Sequence, residues 1–245
     1  MHPFSSISRG DPSLPPLIFL HGFLGAKEDW AAMFPFFEKK FYCTALDLPG
    51  HGATPYCDGI LAALQVRLDA PLKPVLIGYS MGGRIAMQLQ PFASAVILLS
   101  AHPGLTDEKE KEARLKIDLM WGEKLLRLPF EQFLVEWYAQ PLFHHLQNNP
   151  SLLQNTLKRR AAQNPTSLAQ VMLQLSLAKM PAVRCDRPTL FLCGEEDLKY
   201  RDLYSRLPKS VAMHSIKNCG HVIHLEKPKE CAEIILNWLD PYANS

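Results

Sequence analysis

The chain has 245 residues, 47% hydrophobic and 20% charged, with a formal net charge of +2. That length suits one large α/β domain with a sizeable core, and the absence of a basic run argues against nucleic acid as a partner. No apolar stretch reaches membrane-spanning length, and His2-Pro3-Phe4-Ser5 opens no signal peptide, so a cytoplasmic protein without a membrane partner is expected.

Taken in order, the first apolar run is Leu17-Ile18-Phe19-Leu20, followed by the loop His21-Gly22-Phe23-Leu24-Gly25 and a helix predicted over 29–38. Some 16 residues precede that run, so one or two amino-terminal edge strands common in this kind of sheet are expected to be missing. Tyr42-Cys43-Thr44-Ala45-Leu46 is the next strand, then the turn Pro49-Gly50-His51-Gly52 and a helix over 59–69. Val75-Leu76-Ile77 leads into Gly78-Tyr79-Ser80-Met81-Gly82 and a helix over 82–90, and Ala95-Val96-Ile97-Leu98-Leu99 follows. From 104 to 181 no strand is expected. The stretch has helical periodicity broken near Pro129, Pro141, Pro150 and Pro165. Thr189-Leu190-Phe191-Leu192, a helix over 200–207, the more polar run Val211 to Ile216 and a last helix over 228–239 complete the order. Apolar runs alternating with helices specify a mostly parallel sheet flanked by helices. The reading is an α/β fold with core segments 1–103 and 182–245 and a helical lid inserted over 104–181.

Active sites of such sheets lie at the carboxyl ends of the strands. Gly78-Tyr79-Ser80-Met81-Gly82 is a G-x-S-x-G sequence between strand and helix, the context in which the turn holds a serine hydroxyl out over the sheet. A serine alone is a weak nucleophile or base and needs a histidine oriented by a carboxylate. Among the histidines, His221 in Asn218-Cys219-Gly220-His221 follows the last strand, with His224 its nearest competitor. Glu195, Glu196 and Asp197 follow the preceding strand, and Asp197 stands where the loop has cleared the strand end. Ser80, Asp197 and His221 then occur in the chain order of the α/β-hydrolases. The backbone N–H groups of Phe23 and Met81 are the expected oxyanion donors, and His21 braces the loop that carries Phe23. Arg84 is one helical turn beyond Ser80. A cation there opposes the helix dipole unless it meets an anion, which suggests a carboxylate site above the serine. Cys43, Cys57, Cys185, Cys193, Cys219 and Cys231 show no C-x-x-C spacing and are expected as buried thiols, with neither disulfides nor a metal site.

Several stretches together resemble the MenH family, the 2-succinyl-6-hydroxy-2,4-cyclohexadiene-1-carboxylate synthases of menaquinone biosynthesis within the α/β-hydrolase superfamily. They are Gly78 to Arg84, Ser100-Ala101-His102-Pro103-Gly104-Leu105 and Glu136-Trp137-Tyr138-Ala139-Gln140-Pro141-Leu142-Phe143. Leu20 to Gly25, Asp47 to Gly52, and Gly194 to Asp197 with Lys199-Tyr200 also match, though such motifs recur across the superfamily. The resemblance implies a carbon–oxygen lyase without cofactor or metal. It would eliminate pyruvate from 2-succinyl-5-enolpyruvyl-6-hydroxy-3-cyclohexene-1-carboxylate, a small-molecule polycarboxylate, with Ser80 as general base activated by His221 and Asp197. It further implies carboxylate binding by Arg84, Arg114 and Arg160, where the adjacent Arg159 leaves the register open by one, and substrate contact by Tyr79 and Trp137. The alternatives are a carboxylic-ester hydrolase, which the same triad would serve, and a non-catalytic binder, which an intact triad disfavours.

Overall fold

Central strands of this chain are apolar at every position, so both faces of the sheet must be covered. The computed structural model describes residues 4–68, 72–208 and 211–240. The strands are β1 (Ser6–Arg9), β2 (Pro16–Leu20), β3 (Tyr42–Leu46), β4 (Val75–Tyr79), β5 (Ala95–Leu99), β6 (Thr189–Gly194) and β7 (Ala212–Ile216). They form one seven-stranded sheet in the order β1-β3-β2-β4-β5-β6-β7. All neighbours pair in parallel except β1, which runs antiparallel along β3 with Ser6 opposite Leu46. The amino-terminal edge strand expected to be missing is therefore present. Its sequence, Ser-Ile-Ser-Arg, carries one apolar residue, because an edge strand needs little burial.

Residues of alternate parity enter two separate cores. Leu17, Phe19, Ile77, Ile97 and Leu192 pack on one side, against α1 (Phe34–Phe37) and α11 (Pro228–Leu239). Ile18, Leu20, Leu76, Leu98 and Phe191 pack on the other, against α2 (Ile60–Leu68), α3 (Met81–Gln88) and α9 (Leu198–Ser205). The helix predicted over 29–38 divides into a 3₁₀ turn, Lys27–Trp30, and the short α1, with Pro35 at the second position of α1. The predicted end of α2 at residue 69, and the chain ends 1–3 and 241–245 of the core segments, lie outside the described residues.

Between β5 and β6 run α4 (Glu108–Arg127), α5 (Phe130–Tyr138), a 3₁₀ turn Pro141–Phe143, α6 (His144–Gln147), α7 (Pro150–Arg160) and α8 (Pro165–Gln174). Each proline that interrupts the periodicity begins or caps an element, where its missing N–H and fixed φ cost nothing. Asp107, Asn149 and Asn164 accept the N–H of Glu110, Leu152 and Ser167 as side-chain caps. Aromatic side chains Trp121, Phe133 and Tyr138 join these helices to the core over the β2–β5 strand ends. α10 (Ile223–Glu226) is a single turn before α11.

Candidate active site

Strand order reverses at β2, with β3 on one side and β4 on the other, so the loops after β2 and β4 flank the crevice where such sheets bind ligands. Ser80 stands at the end of β4 with φ 50° and ψ −109°. That positive φ is unfavourable for any residue with a Cβ, and it projects the side chain away from the start of α3. Closeness of strand, helix and loop requires glycine on both sides of the serine. A Cβ on Gly82 would run into the carbonyl oxygens of Leu20 and His21, and one on Gly78 into Gly82 and Gly83. The Ser80 N–H is held by Leu99 O at 2.9 Å, which fixes the turn against β5.

His221 Nδ1 lies 2.7 Å from Asp197 Oδ2, and both residues are buried. Asp197 is the N-cap residue of α9, yet its carboxylate caps nothing, because it is turned to the imidazole. Rings of Tyr200, Tyr79 and Phe143 lie 5.0, 5.3 and 6.0 Å from the His221 ring and confine its plane. Glu226 fixes the loop on either side of it, accepting Gly220 N–H at 2.6 Å and Val222 N–H at 3.1 Å. His224, the competitor in sequence, is buried against Trp30 and Tyr79 at 4.5 Å from each ring, and burial drives its pKa down to about 3. It does not line the cavity.

The loop after β2 is held by two neutral histidines. His21 Nε2 accepts Leu48 N–H at 3.0 Å while its Nδ1 is 2.8 Å from Gly22 O, and His51 Nε2 accepts Leu24 N–H at 3.3 Å. Burial lowers both pKa values, consistent with acceptor roles that protonation would abolish. Among the described residues, the N–H groups of Phe23 and Met81 have no protein acceptor.

A cavity of about 930 Å³ joins these parts. Ser80, Asp197, His221, Phe23, Met81, Tyr79, Trp137, Arg84, Arg114 and Arg160 all line it. Their charges are not in equivalent states. Arg84 Nη1 donates to Leu175 O at 2.8 Å and has no carboxylate within ion-pair distance among the described residues. Burial first, and the Arg114 charge second, lower its pKa to about 10. Arg114 already has a counter-ion, donating Nε–H to Asp118 Oδ1 at 2.8 Å, while Asp118 Oδ2 accepts from Ser176 at 2.6 Å. Arg160 is buried and forked onto Asp29, with Nη1 and Nη2 at 2.9 and 2.6 Å from the two carboxylate oxygens, and its Nε donates to Tyr138. Arg159 reaches the same aspartate at 3.5 Å but does not line the cavity. Trp137 packs 5.2 Å from Phe23 and thereby connects α5 to the loop after β2.

Other residues at this cavity were missed as site candidates from sequence. His102, after β5, and Lys199, after β6, occupy strand ends and could have been found by the same rule that gave Ser80 and Asp197. Asp29 acts on Arg160, 131 residues away, and no local pattern marks it, whereas Asp118 and Glu226 lie within six residues of the groups they hold, Arg114 and the Gly220 and Val222 amides. The described residues contain no cluster of His, Cys, Asp or Glu that could hold a metal ion, and all six cysteines are free. No helix among them is long and apolar enough to cross a membrane.

The model of the Alpha/beta hydrolase family matches residues 17–234. A 2-succinyl-6-hydroxy-2,4-cyclohexadiene-1-carboxylate synthase of Klebsiella pneumoniae subsp. pneumoniae is 35% identical over 91% of this chain and 93% of that protein. The chain belongs to the 2-succinyl-6-hydroxy-2,4-cyclohexadiene-1-carboxylate synthase family of α/β-hydrolases. A synthase of the same name from Citrobacter koseri is 35% identical over 89% of this chain and 91% of its own. The solved structure of MenH from S. aureus matches over the whole of both chains with a TM-score of 0.89 at 26% identity. An esterase from Thermogutta terrifontis, at 22% identity and a TM-score of 0.79, shares the fold. Membership in the synthase family thus rests on sequence along nearly the full chain, where the esterase likeness is one of architecture.

Proposed function

We propose that this protein is a carbon–oxygen lyase that removes pyruvate from 2-succinyl-5-enolpyruvyl-6-hydroxy-3-cyclohexene-1-carboxylate to give 2-succinyl-6-hydroxy-2,4-cyclohexadiene-1-carboxylate. The observation that carries this reading is Arg84, a half-buried guanidinium one turn from Ser80 that meets no carboxylate among the described residues. An apolar ester would leave that charge desolvated and unpaired, whereas a substrate with three carboxylates supplies the anion.

The chemistry follows from the two structures of the ring. The ring carbon bearing the succinyl group is next to a ketone, so its C–H is the acidic one. His221, held by Asp197, takes the hydroxyl proton of Ser80, and the Ser80 oxygen takes the carbon proton. The electron pair forms an enolate whose oxygen is received by the N–H groups of Phe23 and Met81. Collapse of that enolate forms a new ring double bond, shifts the existing one, and breaks the bond to the enolpyruvyl oxygen. The leaving group takes the proton back from the imidazolium and departs as pyruvate. Bonds made and broken balance without an acyl-enzyme, and Ser80 serves as a proton carrier. Residues 104–181 act in this reading as a lid that closes Trp137, Phe143 and the lid arginines over the substrate, in a cytoplasmic enzyme.

The test is pyruvate release from the enolpyruvyl substrate by the purified protein, coupled to lactate dehydrogenase, with p-nitrophenyl acetate in parallel. Replacing Arg84 by Ala is expected to lower kcat/KM about tenfold or more, the loss of a charge-assisted contact, without loss of the folded state. Rapid ester hydrolysis with no pyruvate would replace the lyase reading by the hydrolase.

A further inference from the structure

The cavity holds more positive charge on one side than the family arginines alone provide. Three neighbouring strands each place one nitrogen-bearing side chain there: Arg84 beyond β4, His102 beyond β5 and Lys199 beyond β6. β4 pairs with β5 and β5 with β6, so these side chains rise from adjacent strand ends. Arg84 and Lys199 both sit in the first turn of a helix, where the dipole disfavours a cation. Neither has a carboxylate within ion-pair distance among the described residues. Of the carboxylates that line the cavity, Asp118 is held by Arg114 and Ser176, Asp197 by His221 and Asp29 by Arg160, while Glu196 forms no ion pair with either cation.

His102 completes the set as a neutral donor. Its Nδ1 accepts Gly104 N–H at 3.0 Å, which leaves the ring proton on Nε2. Burial first, then the charges of Lys199, Arg84 and Arg114, push its pKa down to about 4, so the imidazole stays neutral near pH 7. The Lys199 ammonium is likewise lowered, by desolvation first and by Arg114 second. Like charges gathered without a counter-ion repel one another, and a bound carboxylate would relieve that cost. On the opposite side, Arg160 is fully engaged by Asp29 and adds little net charge.

We propose that Lys199 binds substrate carboxylate, forming with Arg84 and the Nε2–H of His102 one subsite for a single carboxylate group. The assignment rests on the polycarboxylate reading above. Lys199 supplies a mobile point charge and Arg84 a fixed planar one, so the pair can hold a carboxylate from two directions.

The decisive experiment compares the wild type with Lys199→Met and Lys199→Arg in the pyruvate assay, with thermal melting to check folding. For Lys199→Met we expect KM to rise about tenfold or more with kcat within about threefold, and for Lys199→Arg substantial recovery. An unchanged KM, or a fall in kcat alone, overturns the subsite while leaving the lyase reading intact. Should the wild type release no pyruvate, the lyase reading fails, and calorimetry with propane-1,2,3-tricarboxylate decides the subsite independently. Binding to the wild type that weakens about tenfold in Lys199→Met supports it. Equal binding, or none to the wild type, overturns it.

Discussion

Ser80 and Asp197 both hold conformations that local preference would not choose. Ser80 keeps a positive φ that costs on the order of 1–3 kcal/mol, and Asp197 leaves α9 uncapped to hold His221. The second departure is the more readily tested. In the proposed mechanism the carboxylate fixes the imidazole tautomer, with its proton on Nδ1, and stabilises the imidazolium. Asn at 197 would preserve shape while removing the charge and the preference for that tautomer. Asp197→Asn is therefore expected to reduce kcat for pyruvate release by about 10³–10⁴-fold with the circular dichroism spectrum unchanged. Glu226 acts on the same histidine at one remove, through the amides of Gly220 and Val222. Its replacement by Ala should free the loop and lower kcat by about a hundredfold while KM changes little, as a misplacement of about 1 Å predicts. Loss in KM without loss in kcat would show that Glu226 has no part in placing His221.

At the scale of elements, the connection between α7 and the 3₁₀ turn after β2 is a buried ion pair. Arg160 ends α7, Asp29 lies in the turn Lys27–Trp30, and their side chains are 5% and 2% exposed, so neither charge can fall back on water. Burial alone would raise the Asp29 carboxyl, but the Arg160 charge and hydrogen bonds outweigh it and hold the pKa at about 2. Because the folded value lies below the unfolded one, the stabilisation is complete above about pH 4 and is lost as pH falls toward 2. That shift corresponds to about 2 kcal/mol. Removing one partner is worse than removing both, since it strands a buried charge. Asp29→Ala should cost about 3–5 kcal/mol in urea unfolding at pH 7, and the double variant Asp29→Leu with Arg160→Met should recover much of it. Equal stability of Asp29→Ala and wild type would mean that the pair contributes nothing to holding α7 on the core.

Across the whole molecule, what the sequence could disclose depended on the range of the interaction. Apolar runs reported β2 to β6 because those strands are buried on both faces, whereas β1 escaped notice because an edge strand with one apolar side chain has no such signature. The Ser80 turn and Asp197 were legible because each stands just past a buried run, and His221 because it follows the last strand. Arg84 was conspicuous for its place against a helix dipole. The counter-ion of Arg160 was not legible, since Asp29 is 131 residues away, a distance that only the folded chain closes; Asp118 stands at a local spacing of four from Arg114, but Ser176, which holds its other oxygen, is 58 residues off. Those counter-ions decide where the net charge of the cavity lies. The strained backbone is concentrated in the same region, since Leu24, Ser80, Ser100 and Asn218, the non-glycine residues with positive φ among those described, all follow carboxyl ends of strands. A molecule with a net charge of only +2 thus presents two cations without a carboxylate partner, Arg84 and Lys199, inside one cleft. A polyanionic substrate would be drawn to that cleft by its local field. Salt screens such a field, with a Debye length of about 30 Å at 0.01 M and about 10 Å at 0.1 M. The kcat/KM for pyruvate release should consequently fall several-fold, up to about tenfold, between those ionic strengths, while kcat at saturating substrate changes less than about twofold. Stopped-flow or coupled assays across a sodium chloride series read both quantities. A kcat/KM indifferent to salt would place the substrate's charges away from Arg84 and Lys199, and with them the centre of recognition.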